Sequence, residues 1–86
     1  MKIKNDFFLS VIDGQNVVKS KSGNLNDTIF LNETAAYLWS ELEHSELTKE
    51  ELLSKLLSRF DISTVLALND IDIFVKTLEK YRMLDE

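Results

Sequence analysis

At 86 residues with 44% hydrophobic side chains, the chain is sized for one domain with a thin core and is too small to enclose a large catalytic cavity. It has no cysteine and one histidine, which excludes a disulfide framework, a thiol nucleophile and the common zinc sites, so stability rests on packing. The net charge of −5 disfavours a phosphate backbone and favours basic or neutral partners.

The charge is unevenly spread. Residues 1 to 31 carry Lys2, Lys4, Lys19 and Lys21 against Asp6, Asp13 and Asp27, whereas the acidity concentrates further along. No apolar run approaches the roughly 20 residues that span a bilayer, and the segment after Met1 is too short and too charged for a signal peptide. A soluble cytoplasmic protein is expected, with neither a membrane nor a nucleic acid as partner.

Phe7 to Ile12 is rich in β-formers and stops at Asp13-Gly14, the dipeptide favoured in a two-residue type I′ hairpin, so Gln15 to Lys19 reads as the return strand. Phe7 and Phe8 must point to opposite sheet faces, one of them coreward. Ser20 to Asn26 collects turn formers around Gly23 and reads as a loop, and Asp27 to Leu31 as a third strand. Strands joined this closely make an antiparallel meander.

Asn32 is placed to cap a first helix in which Ala35, Leu38, Trp39 and Leu42 recur at helical spacing. Trp39 falls on the apolar side and is expected in the core. Thr48 with Glu51 forms a capping box for a second helix, whose buried stripe would be Leu52, Leu53, Leu56, Leu57 and Phe60. Ser63 can cap a third, running to about Tyr81, with Ala67, Ile71, Phe74, Leu78 and Tyr81 on one side. The whole chain, 1–86, reads as a single α+β domain, a three-stranded antiparallel sheet followed by three helices.

Little in this pattern is catalytic. His44 lies among Glu43, Ser45 and Glu46 near a helix C-terminus, where solvation and the helix dipole explain it. The clustered carboxylates read as solvated helix faces, and Gly14 and Gly23 are isolated rather than part of a phosphate loop. The Asp-Ser-Leu context of a phosphopantetheine carrier is absent. No catalytic residue, metal ligand or cofactor is expected.

Two segments do carry a resemblance. Leu31-Asn32-Glu33-Thr34-Ala35-Ala36-Tyr37-Leu38-Trp39, together with Asp70-Ile71-Asp72-Ile73-Phe74-Val75-Lys76-Thr77-Leu78 closing on Met83-Leu84, resembles the PqqD-like family, also called RiPP recognition elements. The resemblance implies a winged helix-turn-helix-like arrangement that binds the leader segment of a ribosomally made precursor peptide. It further implies that the bound peptide is presented to a modifying enzyme such as a radical SAM enzyme. Arg82 stands where many members have Gly, and the family's frequent proline is missing. Arg82 is expected to extend the last helix or to end it differently, and the chain to serve a peptide pathway other than pyrroloquinoline quinone synthesis.

The third strand suits such a role. Ile29 and Leu31 alternate with Thr28 and Phe30, giving apolar groups on both sides, and the strand lacks the Lys or Pro that blunts an edge. That this edge is exposed is what the resemblance implies. The expected peptide site is therefore Asp27, Thr28, Ile29, Phe30 and Leu31, faced by the third helix. On that helix the wide apolar arc extends from Ile71 to Leu68 and Val75, with Asp72 and Lys76 placed to read polar leader residues. The alternatives are a winged-helix DNA reader, which would need a basic recognition helix that neither Lys49-Glu50-Glu51 nor Asp70-Ile71-Asp72 supplies, and an unrelated protein-protein adaptor.

Overall fold

The computed structural model describes residues 1–85 and has the element order β1 (Phe7–Ile12), β2 (Gln15–Ser20), β3 (Ile29–Leu31), α1 (Glu33–His44), α2 (Lys49–Arg59) and α3 (Thr64–Lys80). The strands form one antiparallel sheet in the order β1-β2-β3. At the hairpin Ile12 pairs with Gln15, and Asp13 (φ 52°) and Gly14 (φ 78°) both take the left-handed conformation that a type I′ turn requires.

The expected caps are all present. Asn32 Oδ1 accepts from the Ala35 N–H at 2.9 Å and Ser63 Oγ from the Leu66 N–H at 3.2 Å. Thr48 and Glu51 close their box with bonds of 3.0 and 3.1 Å. Each cap satisfies amides that the first helical turn leaves without partners.

The helices cover one sheet face. Val18, Ile29 and Leu31 are buried on that face, with Phe7 and Leu9 packed against the same cluster. Phe7 is thus the coreward member of the Phe7-Phe8 pair. Against the sheet pack Leu38, Trp39, Leu42, Leu52, Leu56, Ala67, Ile71, Phe74 and Leu78. Trp39 is fully enclosed, and its indole N–H finds no hydrogen-bond partner among the described residues. No described helix is long and apolar enough to cross a membrane.

Four features depart from expectation or went unread. β3 begins at Ile29 rather than Asp27, because the preceding loop is drawn toward β1: the Lys21 N–H donates to the Asp6 carbonyl at 2.7 Å and the Ser22 N–H to Asp6 Oδ1 at 3.0 Å. Residues up to Thr28 are then spent returning across β2. Leu57, expected in the stripe of α2, is 37% exposed because α2 is covered along a narrower arc that centres on Leu52 and Leu56. Ile3 bridges Leu84, with the Lys4 N–H donating to the Met83 carbonyl and the Asp85 N–H to the Lys2 carbonyl, both at 2.9 Å.

The fourth is Arg82, which ends α3 in the way a glycine would. At φ 55° it holds the left-handed position, with the Arg82 N–H on the Glu79 carbonyl (3.1 Å) and the Met83 N–H on the Leu78 carbonyl (2.8 Å). This is the paired bonding of a Schellman motif, formed by a residue that takes the left-handed conformation at a cost of about 1 kcal/mol. The turn delivers Met83 into the core, where it is fully buried.

Candidate binding groove

Among the described residues β3 pairs only with β2, so its other edge carries no strand. Along β3 the side chains alternate as the pleat demands: Ile29 and Leu31 are buried, and Phe30 between them is 59% exposed. A short apolar edge without Lys or Pro is the kind of template on which another extended chain can pair.

Beside this edge lies a groove of about 130 Å³ whose walls come from three elements. Phe30 and Leu31 form the strand side, and Asn32, Thr34 and Ala35 at the start of α1 close one end. The opposite wall is α3, through Asp70, Ile73, Phe74 and Thr77. Of these Phe74 is buried and anchors the floor, whereas Ile73 is 57% exposed. A larger depression of about 280 Å³ lies between β2 and residues 23–28, but it is lined largely by loop and touches no helix.

The α3 wall sits on the flank opposite to the one expected. With the buried stripe of Ala67, Ile71, Phe74 and Leu78 as centre, Asp70, Ile73 and Thr77 lie about 70–130° to one side at 100° per residue, and Leu68, Asp72 and Val75 about 70–130° to the other. That second flank turns toward α2. Lys49 Nζ, in the first turn of α2, meets Asp72 Oδ1 at 2.7 Å, and Val75 packs against the core. The hydrogen bond to Lys49 holds the Asp72 carboxyl below its ordinary range, and Asp72 correspondingly raises Lys49.

Of the residues singled out in the sequence, the structure therefore brings Phe30 and Leu31 to the groove, with Ile29 behind them in the core. Asp27 and Thr28 lie before the strand. Ile71 is buried in the core, Leu68 and Lys76 are exposed, and Asp72 is engaged with Lys49. The groove residues that sequence reasoning passed over are Asp70, Ile73 and Thr77 on α3 and Asn32, Thr34 and Ala35 on α1. Ile73 had a signal: it is an isoleucine lying outside the core arc of an otherwise ordered helix.

The polar groups of the groove are largely committed as donors. Thr34 Oγ1 donates to Asn32 Oδ1 at 3.0 Å, and Thr77 Oγ1 donates to the Ile73 carbonyl at 2.9 Å. What remains facing the groove is apolar surface, acceptor oxygens and the side-chain amide N–H groups of Asn32, which suits binding rather than bond-making. Among the described residues no three His, Asp or Glu side chains converge to hold a metal ion. His44, remote from the groove, places Nδ1 2.7 Å from the Ser40 carbonyl one helical turn earlier.

Comparison with known proteins agrees with this architecture. The family model described as coenzyme PQQ synthesis protein D (PqqD) matches residues 17–84. Among solved structures the chain is similar to that described as TbiB1 in complex with the TbiA(beta) leader peptide, with a TM-score of 0.74 and 21% sequence identity, covering 99% of this chain and 95% of that one. At that identity the likeness establishes the fold. A search of curated proteins found none that matches.

Proposed function

The chain belongs to the PqqD family, and on that premise we propose that it is a non-catalytic module that captures the leader segment of a ribosomally synthesised precursor peptide. The leader would add as a strand to the free edge of β3 and lay its side chains into the groove against α3. Strand addition draws general affinity from backbone hydrogen bonds and selectivity from the side-chain pockets beside them. The observation that carries the reading is the juxtaposition of an unpaired strand edge, Ile29–Leu31, with an apolar groove walled by Ile73 and Phe74. That a leader peptide occupies the solved structure of TbiB1, a protein of the same fold, supports it.

The module's contribution is to raise the local concentration of precursor at a modifying enzyme, such as a radical SAM enzyme, within the cytoplasm. Chemistry would belong to that enzyme, because the groove offers no nucleophile paired with a base. Omitting the module should raise the apparent KM of modification. If binding also aligns the core peptide, the maximum rate falls as well.

The test is fluorescence anisotropy with the labelled leader of a short precursor encoded near this chain's gene, using the parent and Ile73→Asp. Ile73 is exposed, so the variant should fold and lose at least ~10-fold in affinity, about 1.4 kcal/mol. Unchanged affinity in a folded variant would remove the groove from consideration. Mass change of the precursor on incubation with this protein alone would overturn the non-catalytic reading.

A further inference from the structure

Resting on the groove as the peptide site, we propose that Asp70 selects peptides that carry a Lys or Arg two residues from an apolar side chain. Among the described residues Asp70 is the one charged residue that lines the groove, and it is half-buried beside Ile73 and Phe74. None of the ion pairs among the described residues involves it: Lys2 takes Asp85, Lys49 takes Asp72 and Lys55 takes Glu41. A carboxylate beside apolar surface and without an ion-pair partner is open to a cation delivered by a ligand.

The other polar groups favour the same ligand chemistry. Because the hydroxyls of Thr34 and Thr77 spend their protons inside the protein, the oxygens they turn outward can only accept. The α3 wall, where an acceptor oxygen and an unpaired negative charge lie beside apolar surface, fits a side chain made of donors on an apolar stem. Lys and Arg are such side chains, and their methylenes can lie along Ile73 and Phe74 while the charged head reaches Asp70.

The spacing follows from the two periodicities. Three residues of helix rise about 4.5 Å between Asp70 and Ile73, while alternate residues of an added strand lie about 6.6–6.8 Å apart on one face. The length and flexibility of a basic side chain cover the difference. An apolar peptide residue on Ile73 thus places a basic residue two positions away beside Asp70, whereas an acidic residue there would face like charge.

The experiment is selection of a displayed library of random dodecapeptides on the intact protein, in parallel with Asp70→Asn and Asp70→Lys. The parent should enrich sequences pairing an apolar residue with Lys or Arg at the second position from it, Asp70→Asn should lose the basic preference, and Asp70→Lys should exchange it for Asp or Glu. For one enriched peptide, replacing the basic residue with Gln should weaken binding to the parent roughly 3–10-fold and leave binding to Asp70→Asn nearly unchanged. The isosteric Asn variant keeps the test valid if the Lys variant does not fold. Enrichment for apolar residues that Ile73→Asp abolishes, with no charge preference, would refute the role of Asp70 while leaving the peptide-binding reading intact. Failure to enrich any sequence would overturn both.

Discussion

On the flank of α3 that faces α2, Asp72 is held by Lys49 at 2.7 Å and Val75 is folded against the core. On the flank that faces β3, Ile73 stands 57% exposed and Asp70 joins no ion pair among the described residues. The two flanks have comparable composition, each offering apolar side chains and one aspartate. They differ in what the rest of the fold has done with them. Where α2 arrived, Asp72 found a cation and Val75 a packed surface, while Leu68 of that flank stays exposed. Toward β3, whose three residues form a strand without a neighbour on its outer edge among the described residues, the same kinds of group are left open, as the proposed peptide site requires.

The largest effect expected of any single change lies beneath both flanks. Trp39→Ala empties a fully buried indole site and should cost about 3–5 kcal/mol in denaturant unfolding, enough to threaten a domain this small and to abolish the distinction between the flanks along with the fold. A stable variant that had lost only peptide binding would move Trp39 from the core to the site.

Parallel substitutions on α3 then separate the two sides. Val75→Asp puts a carboxylate into packed surroundings and should lower stability by roughly 1–3 kcal/mol. Ile73→Asp, on the open side, should change unfolding free energy by less than about 0.5 kcal/mol while weakening peptide binding. Equal destabilisation by the two would mean that the flanks are not distinct.

Arg82→Gly addresses the end of the helix that carries both. Relieving the left-handed strain at φ 55° should raise stability by about 0.5–1 kcal/mol and leave peptide affinity unchanged. A smaller effect is expected from acid. Asp6 is held below its ordinary range first by the Ser20 hydroxyl and then by Ser22, Asp72 by Lys49, and Glu51 by bonds to Thr48. A carboxyl lowered in the folded state stabilises above its unfolded pKa, and that stability is lost as pH falls through the folded value. Stability should therefore decline below about pH 4, and Asp6→Asn should make the decline shallower.

How much of this was readable from the chain depended on range. The caps at Asn32, Thr48 and Ser63 and the Asp13-Gly14 turn need only residues within three positions of each other, and the structure has them as expected. Trp39, placed by helical periodicity, is in the core. The early part of β3 was not readable, because its length depends on Asp6 binding Ser22 across sixteen residues. Nor was the pairing of residues 2–4 with 83–85, since Ile3 and Leu84 carry no local strand pattern. The helical wheel of α3 displayed an apolar arc wide enough for a core and a groove. It could not say which flank α2 would cover, and hence that Ile73 and Asp70 rather than Val75 and Asp72 would line the groove. Arg82 lacked the composition of a left-handed cap, and only the burial of Met83 explains why the turn forms there.

The most direct measurement is residue-resolved NMR of the protein titrated with a bound leader peptide, combined with amide hydrogen exchange. Binding should slow exchange in Ile29–Leu31 and shift the resonances of Asp70, Ile73 and Thr77, leaving those of Leu68, Asp72 and Val75 in place. Shifts confined to the flank that faces α2, with exchange along β3 unchanged, would contradict the assignment of the open flank as the peptide site.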